Sequence, residues 1–127
     1  LATHEREIAN GLKVCIVAAV LDDGTCPAVE YMEQVGCRAR FQARFIRLTT
    51  TGGLANPEMM RRIDDRVWEI KVDQGPGRRV YGCYQQRVFV LTHGTNKPKP
   101  SGVKREAGRA LKIFNYWLSK EYPRGVK

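Results

Sequence analysis

The sequence is poor in the residues that hold metals. It has two histidines, His4 and His93, and its four cysteines, Cys15, Cys26, Cys37 and Cys83, form no C-x-x-C pair. Zinc-finger and zinc-ribbon spacings are therefore excluded, and no metal site or other cofactor is expected. Long hydrophobic runs are also missing. The apolar stretch 14–21 falls far short of the roughly 20 residues that a spanning helix needs, so no membrane partner is expected. No internal repeat, linker or low-complexity tract occurs. An even cysteine count would suit disulfides, but no secretion signal is read; reduced, mostly buried thiols in a cytoplasmic protein are the expectation. The chain starts at Leu1 rather than Met, as a trimmed chain would. Acidic residues are scarce, with 13 Asp and Glu against 22 Lys and Arg, a formal charge of +9.

What is present fits one domain over residues 1–127, with 1–12 as a polar extension or short helix. At this length folding buries about two-thirds of the unfolded surface, and 43% apolar content is enough for one core. The charge points to a polyanion: nucleic acid, the ribosome, or an acidic protein. Residues 13–21 are rich in β-branched side chains and end at Asp22-Asp23-Gly24, which predicts a buried strand. Pro27 opens a helix that runs to about Val35, where Gly36 interrupts it. A second helix, from about Arg38 to Thr50, carries Phe41, Phe45 and Leu48 as an apolar stripe. Beside that stripe Arg40, Arg44 and Arg47 form a basic ridge, which is either a solvated face or a phosphate contact. The two helices should form a hairpin on one face of the sheet. Residues 51–56 read as a loop, 57–60 as a short helical turn, and 61–66 as a charged approach to the sheet. From Lys104 to about Tyr122, Ala107, Ala110, Leu111, Phe114, Trp117 and Leu118 mark an amphipathic helix that Pro123 ends.

The most informative stretch is 67–99. It predicts three strands, at 67–73, 78–85 and 87–93, broken by Gly75-Pro76-Gly77 and by Gln85-Gln86. Alternation puts Trp68, Ile70, Val72, Val80, Gly82, Val88 and Val90 on a core face. The opposite face receives Glu69, Lys71, Arg79, Tyr81, Leu91 and His93. The whole reads as an α+β domain built on a small antiparallel sheet: a strand, two helices, a three-strand meander and a C-terminal helix. The helix pair lets the first strand join beside a later one.

Three ordered segments carry a resemblance. Trp68-Glu69-Ile70-Lys71, then Arg79-Val80-Tyr81, then Leu91-Thr92-His93-Gly94 with Lys97 resemble the RelE/HigB superfamily of bacterial toxins, nearest its phage-derived subgroup. The match runs from Val67 to about Ala110. It departs where Lys71 stands in place of an arginine and where Pro98 replaces the second of two paired lysines, although Lys99 follows. The resemblance implies a RelE/ParE-like fold and the toxin of a type II toxin–antitoxin system. It further implies a metal-independent, ribosome-dependent endoribonuclease that cleaves mRNA and inhibits translation. The implied partners are the ribosome, mRNA and a cognate antitoxin of helix-turn-helix type. Two other functions stay open: a relative that poisons DNA gyrase, and a degenerate module that only binds RNA or its antitoxin.

The chemistry can be set out beside the resemblance. RNA supplies its own nucleophile, the ribose 2′-OH. Cleavage needs that hydroxyl deprotonated, charge stabilised at phosphorus and the leaving 5′-oxygen protonated. His93 is the expected acid or base, exposed at a strand end by Gly94, or else a histidine that caps the strand. Arg79 and Lys71 would hold the phosphate. Glu69 either acts as a base or pairs with Arg79. Tyr81 stacks on a base, donates to phosphate, or packs on the sheet. Lys97 and Lys99 would contact RNA, and Arg78 would need a bulge to join them.

Overall fold

The computed structural model describes residues 3–124. In chain order the elements are β1 (Glu5–Asn10), β2 (Cys15–Ala19), α1 (Pro27–Gln34), α2 (Arg38–Thr51), β3 (Met60–Arg62), β4 (Trp68–Val72), β5 (Arg78–Gln85), β6 (Val88–Asn96), a 3-10 turn (Pro100–Gly102) and α3 (Val103–Glu121). The strands form one open six-stranded sheet in the order β1-β2-β6-β5-β4-β3. The α+β class is as expected, but the sheet is mixed. β2 runs parallel to β6, with Cys15 opposite Val88 and Ala18 opposite Leu91. All other neighbouring pairs are antiparallel. The helix pair is what makes the parallel pairing possible, because it carries the chain across the sheet between β2 and the later strands.

Two strands were not expected. The stretch read as a polar extension is the edge strand β1, paired with β2; residues 1–2 of that stretch lie outside the described residues. Its charges suit an edge, where one side of the backbone faces water. Ile8 is the extra residue of a bulge between Glu7 and Ala9, and it packs partly on the core. At the other edge, the residues read as a helical turn lead into β3, three residues long, which pairs Arg61 with Glu69.

Helices cover both faces of the sheet. α1 and α2 pack on one face, where Phe41, Phe45 and Leu48 are fully buried against Ile16, Ile70, Val80, Phe89 and Leu91. Each such side chain stabilises the fold by about 1.5–3 kcal/mol relative to an exposed one. α3 covers the other face, placing Ala110, Phe114 and Trp117 over Val17, Tyr81, Cys83 and Val90. The expectation of one core face and one open face is therefore corrected. Leu91 belongs with Ile70, whereas Val90 belongs with Tyr81. The cause is a register shift in the β5–β6 pair between Val80 and Gly82, which sets Thr92 and His93 together opposite Tyr81 and flips the alternation. All four cysteines are free, and Cys26, Cys37 and Cys83 are buried. Among the described residues no helix is long and apolar enough to cross a membrane.

Candidate functional site

Glu69 is the second residue of β4 and is 2% exposed. Cross-strand pairing surrounds it with cations. Arg61 lies opposite it on β3, while Arg79 on β5 lies opposite Lys71. Arg61 Nη2 is 2.9 Å from Glu69 Oε1, Lys71 Nζ is 3.9 Å from the same oxygen, and Arg79 Nε is 3.8 Å from Oε2. Arg61 is close in charge but poorly aligned, so Oε1 is buried without a hydrogen bond. Arg79 is 6% exposed and donates from Nη1 to its neighbour's carbonyl, Arg78 O, at 3.0 Å. Burial pushes the Lys71 ammonium below its ordinary range; Glu69 opposes that, while Arg61, Arg79 and Lys97 add to it. Three cations thus share one carboxylate, with Lys97 close enough to act on Lys71.

This cluster borders a cleft of about 510 Å³ lined by Arg61, Arg62, Lys97, Pro98, Pro100 and Val103, among others. The cleft lies between β3, the segment after β6 and the start of α3. Gly77, at φ +90°, belongs to the same corner. A Cβ there would sit 3.1 Å from Lys97 Cβ and 3.5 Å from Arg79 Nη1, so the glycine lets the two cations approach the β4–β5 turn.

His93 shares the face of Glu69, Lys71, Arg79 and Tyr81, as expected, but its surroundings differ. It is not at a strand end, because β6 continues to Asn96. Nor does Gly94 expose it. That glycine makes room for Tyr31 of α1, whose Cδ2 lies 2.1 Å from where a Cβ would stand. His93 is fully buried beneath α3. Its Nε2 is 3.1 Å from Glu106 Oε1, and its Nδ1 is 3.1 Å from Thr92 Oγ1. Burial pulls the imidazole down to about 4, with Arg109 acting the same way and Glu106 against it. At neutral pH the ring is therefore uncharged. Facing a carboxylate, it carries its proton on Nε2 and donates it to Glu106, while the single hydroxyl proton of Thr92 is shared between His93 Nδ1 and the Tyr81 carbonyl. Tyr81 stacks on His93 with ring centroids 4.6 Å apart, and its hydroxyl pairs with Thr95 Oγ1 at 2.9 Å. Burial raises the phenol to about 12, so Tyr81 stays protonated at any ordinary pH.

The remaining expected contacts separate. Arg78 is on the α1 side, held by Gln74 Oε1 at 2.9 Å and Asn96 Oδ1 at 2.6 Å. Arg40 Nη1 donates to Asp73 O at 2.8 Å, and Arg44 Nε to Lys71 O at 3.0 Å. Those carbonyls lie where β3 is too short to pair with β4, so the two arginines complete the edge of the sheet. Arg47 is exposed beside the 51–56 loop, away from Lys71. Lys97 lines the cleft, and Lys99 is exposed just beyond it.

Sequence reasoning missed Arg61, Arg62 and Glu106. Arg61 has no periodic signal, since its position depends on a three-residue strand. Glu106 did leave one: with Ala110, Ile113, Phe114 and Trp117 it occupies the buried stripe of α3, and a carboxylate there requires a buried partner. Comparison with protein-family models, with curated proteins and with solved structures finds nothing that matches this chain.

Proposed function

We propose that this chain is a toxin-type endoribonuclease of the RelE/HigB kind, with a RelE/ParE-like fold. In this reading it acts in the cytoplasm on mRNA held by the ribosome, halts translation, and is kept inactive by a cognate helix-turn-helix antitoxin. The observation that carries the reading is the gathering of Arg61, Lys71 and Arg79 around Glu69 beside a cleft that Arg61 and Lys97 line. Cations placed this closely favour an anion at the exposed Arg61 side of the cluster, and a phosphodiester gains further charge as it reacts. Arg79 and Arg61 stabilise that charge. Glu69, whose Oε1 is buried, does not reach substrate but holds these cations in place, and the 2′-hydroxyl proton leaves to water. Lys71, made a stronger acid by burial, returns a proton to the departing 5′-oxygen. His93 does not reach substrate in this scheme. It is a positioning residue that, with Glu106, holds Tyr81 and α3 behind the cluster.

Brief induction of the chain followed by mapping of mRNA 5′ ends tests the proposal. New ends within translated messages are expected, reduced about 10²–10³-fold by Arg79→Ala or Lys71→Ala. Undiminished cleavage by the doubly substituted chain would remove the residue assignment. The burial of His93 favours one second reading, a module that binds RNA or the ribosome without cutting. Protein that co-sediments with ribosomes and leaves messages intact is its signature.

A further inference from the structure

His4 and Glu5, at the start of β1, meet Glu121, the last residue of α3. His4 Nε2 is 2.7 Å from Glu121 Oε2 and 3.8 Å from Glu5 Oε1, and the three potential ligand atoms lie within 4.8 Å of one another. We propose that these three residues bind one divalent transition-metal ion, of the zinc, manganese or cobalt class, which staples the first strand to the end of the last helix. This site is independent of the proposed function. Glu106, which approaches His93, is fifteen residues away along α3, about 22 Å at 1.5 Å per residue.

Four observations converge on a cation here. The first is unbalanced charge. In a chain of +9, neither Glu5 nor Glu121 has a lysine or arginine nitrogen within 4 Å among the described residues; their common ion-pair partner is His4. The nearest lysine on α3, Lys120, turns to Asp22 instead, 4.0 Å away. Secondly, one ligand is oriented from behind. Trp117 Nε1 donates to Glu5 Oε1 at 2.9 Å and so directs that carboxylate. Such outer partners fix ligand direction in metal sites. Thirdly, Glu121 is at the C-terminus of a 19-residue helix, where the aligned peptide dipoles present partial negative charge. Lastly, the cluster is partly exposed, with side-chain exposures of 17%, 24% and 38%, so an ion can enter and keep water as a further ligand.

The donor set chooses the metal class. One imidazole nitrogen with two carboxylate oxygens suits zinc, manganese or cobalt. Magnesium and calcium prefer oxygen alone, and copper(I) prefers sulfur. Three protein ligands are the number found in open zinc sites, leaving one position for water. His4 and Glu121 are 117 residues apart in sequence, so no spacing motif announces the site.

Titration of the chelator-treated full chain with Zn2+ by calorimetry, and with Co2+ by visible absorption, tests the inference. One equivalent should bind, with a Co2+ spectrum free of thiolate charge-transfer bands. A concentration a hundredfold above Kd should raise Tm by about 5–10 °C. His4→Ala and the milder Glu121→Gln should each abolish the absorption and the Tm shift, the second without lowering the metal-free Tm. Absence of saturable binding overturns the inference, as does unchanged binding by Glu121→Gln or a spectrum that shows thiolate ligation.

Discussion

At the scale of single residues, His93 shows how burial changes what a side chain can do. Folding holds the ring neutral, with its proton affinity moved from about 6.5 down to about 4. The unfolded chain takes up the proton first as pH falls. The stabilisation is thus fully present above about pH 6.5 and is lost progressively toward pH 4. Urea titrations across this range should show that loss, and His93→Gln should flatten it. Gly94 makes a second residue-scale prediction. Gly94→Ala drives a Cβ into the Tyr31 ring and should cost about 1–3 kcal/mol in the same assay. The sequence marked both residues as special but not why. Alternation correctly placed Glu69, Lys71, Arg79 and Tyr81 on one side, whereas His93 joins them only through the bulge that turns Leu91 to the other. What covers that side depends on α3, whose stripe names a buried face without naming its partner.

At the scale of elements, α3 is the part on which the candidate site most depends. Trp117, 2% exposed, stacks with Phe114 at 6.1 Å and bonds Glu5, joining both ends of the chain. Trp117→Ala should lower stability by about 3–5 kcal/mol in chemical denaturation. α2 makes a contrasting prediction. Arg44 completes the β4 edge rather than facing the cleft, so Arg44→Ala should lower Tm while leaving RNA affinity within about twofold. The helices were legible because their periodicity is internal to each segment. β1 and β3 were not. Glu5-Arg6-Glu7 and Arg61-Arg62 are charged edge segments whose strand conformation comes from partners elsewhere in the chain.

At the scale of the whole molecule, an excess of nine positive charges makes the proposed RNA contact sensitive to salt. RNA affinity measured by filter binding should fall steeply between 50 and 200 mM salt. Arg79→Ala and Lys71→Ala should each reduce the slope of log K against log salt by about 0.7, the value for one lost contact to a single strand. Arg40→Ala, on the far face, should leave the slope unchanged. The topology also has a cost in time. β2, whose Ile16, Ala18 and Ala19 are fully buried, finds its inner neighbour only in Val88–Leu91. During synthesis this apolar segment emerges well before β6, and with β1 beside it its inner edge waits unpaired until the end of the meander is made. Closing so long a loop is slow, and an exposed strand awaiting its mate can join another copy of itself. Crowded expression should therefore send part of this chain into inclusion bodies, and slower synthesis at lower temperature should recover it.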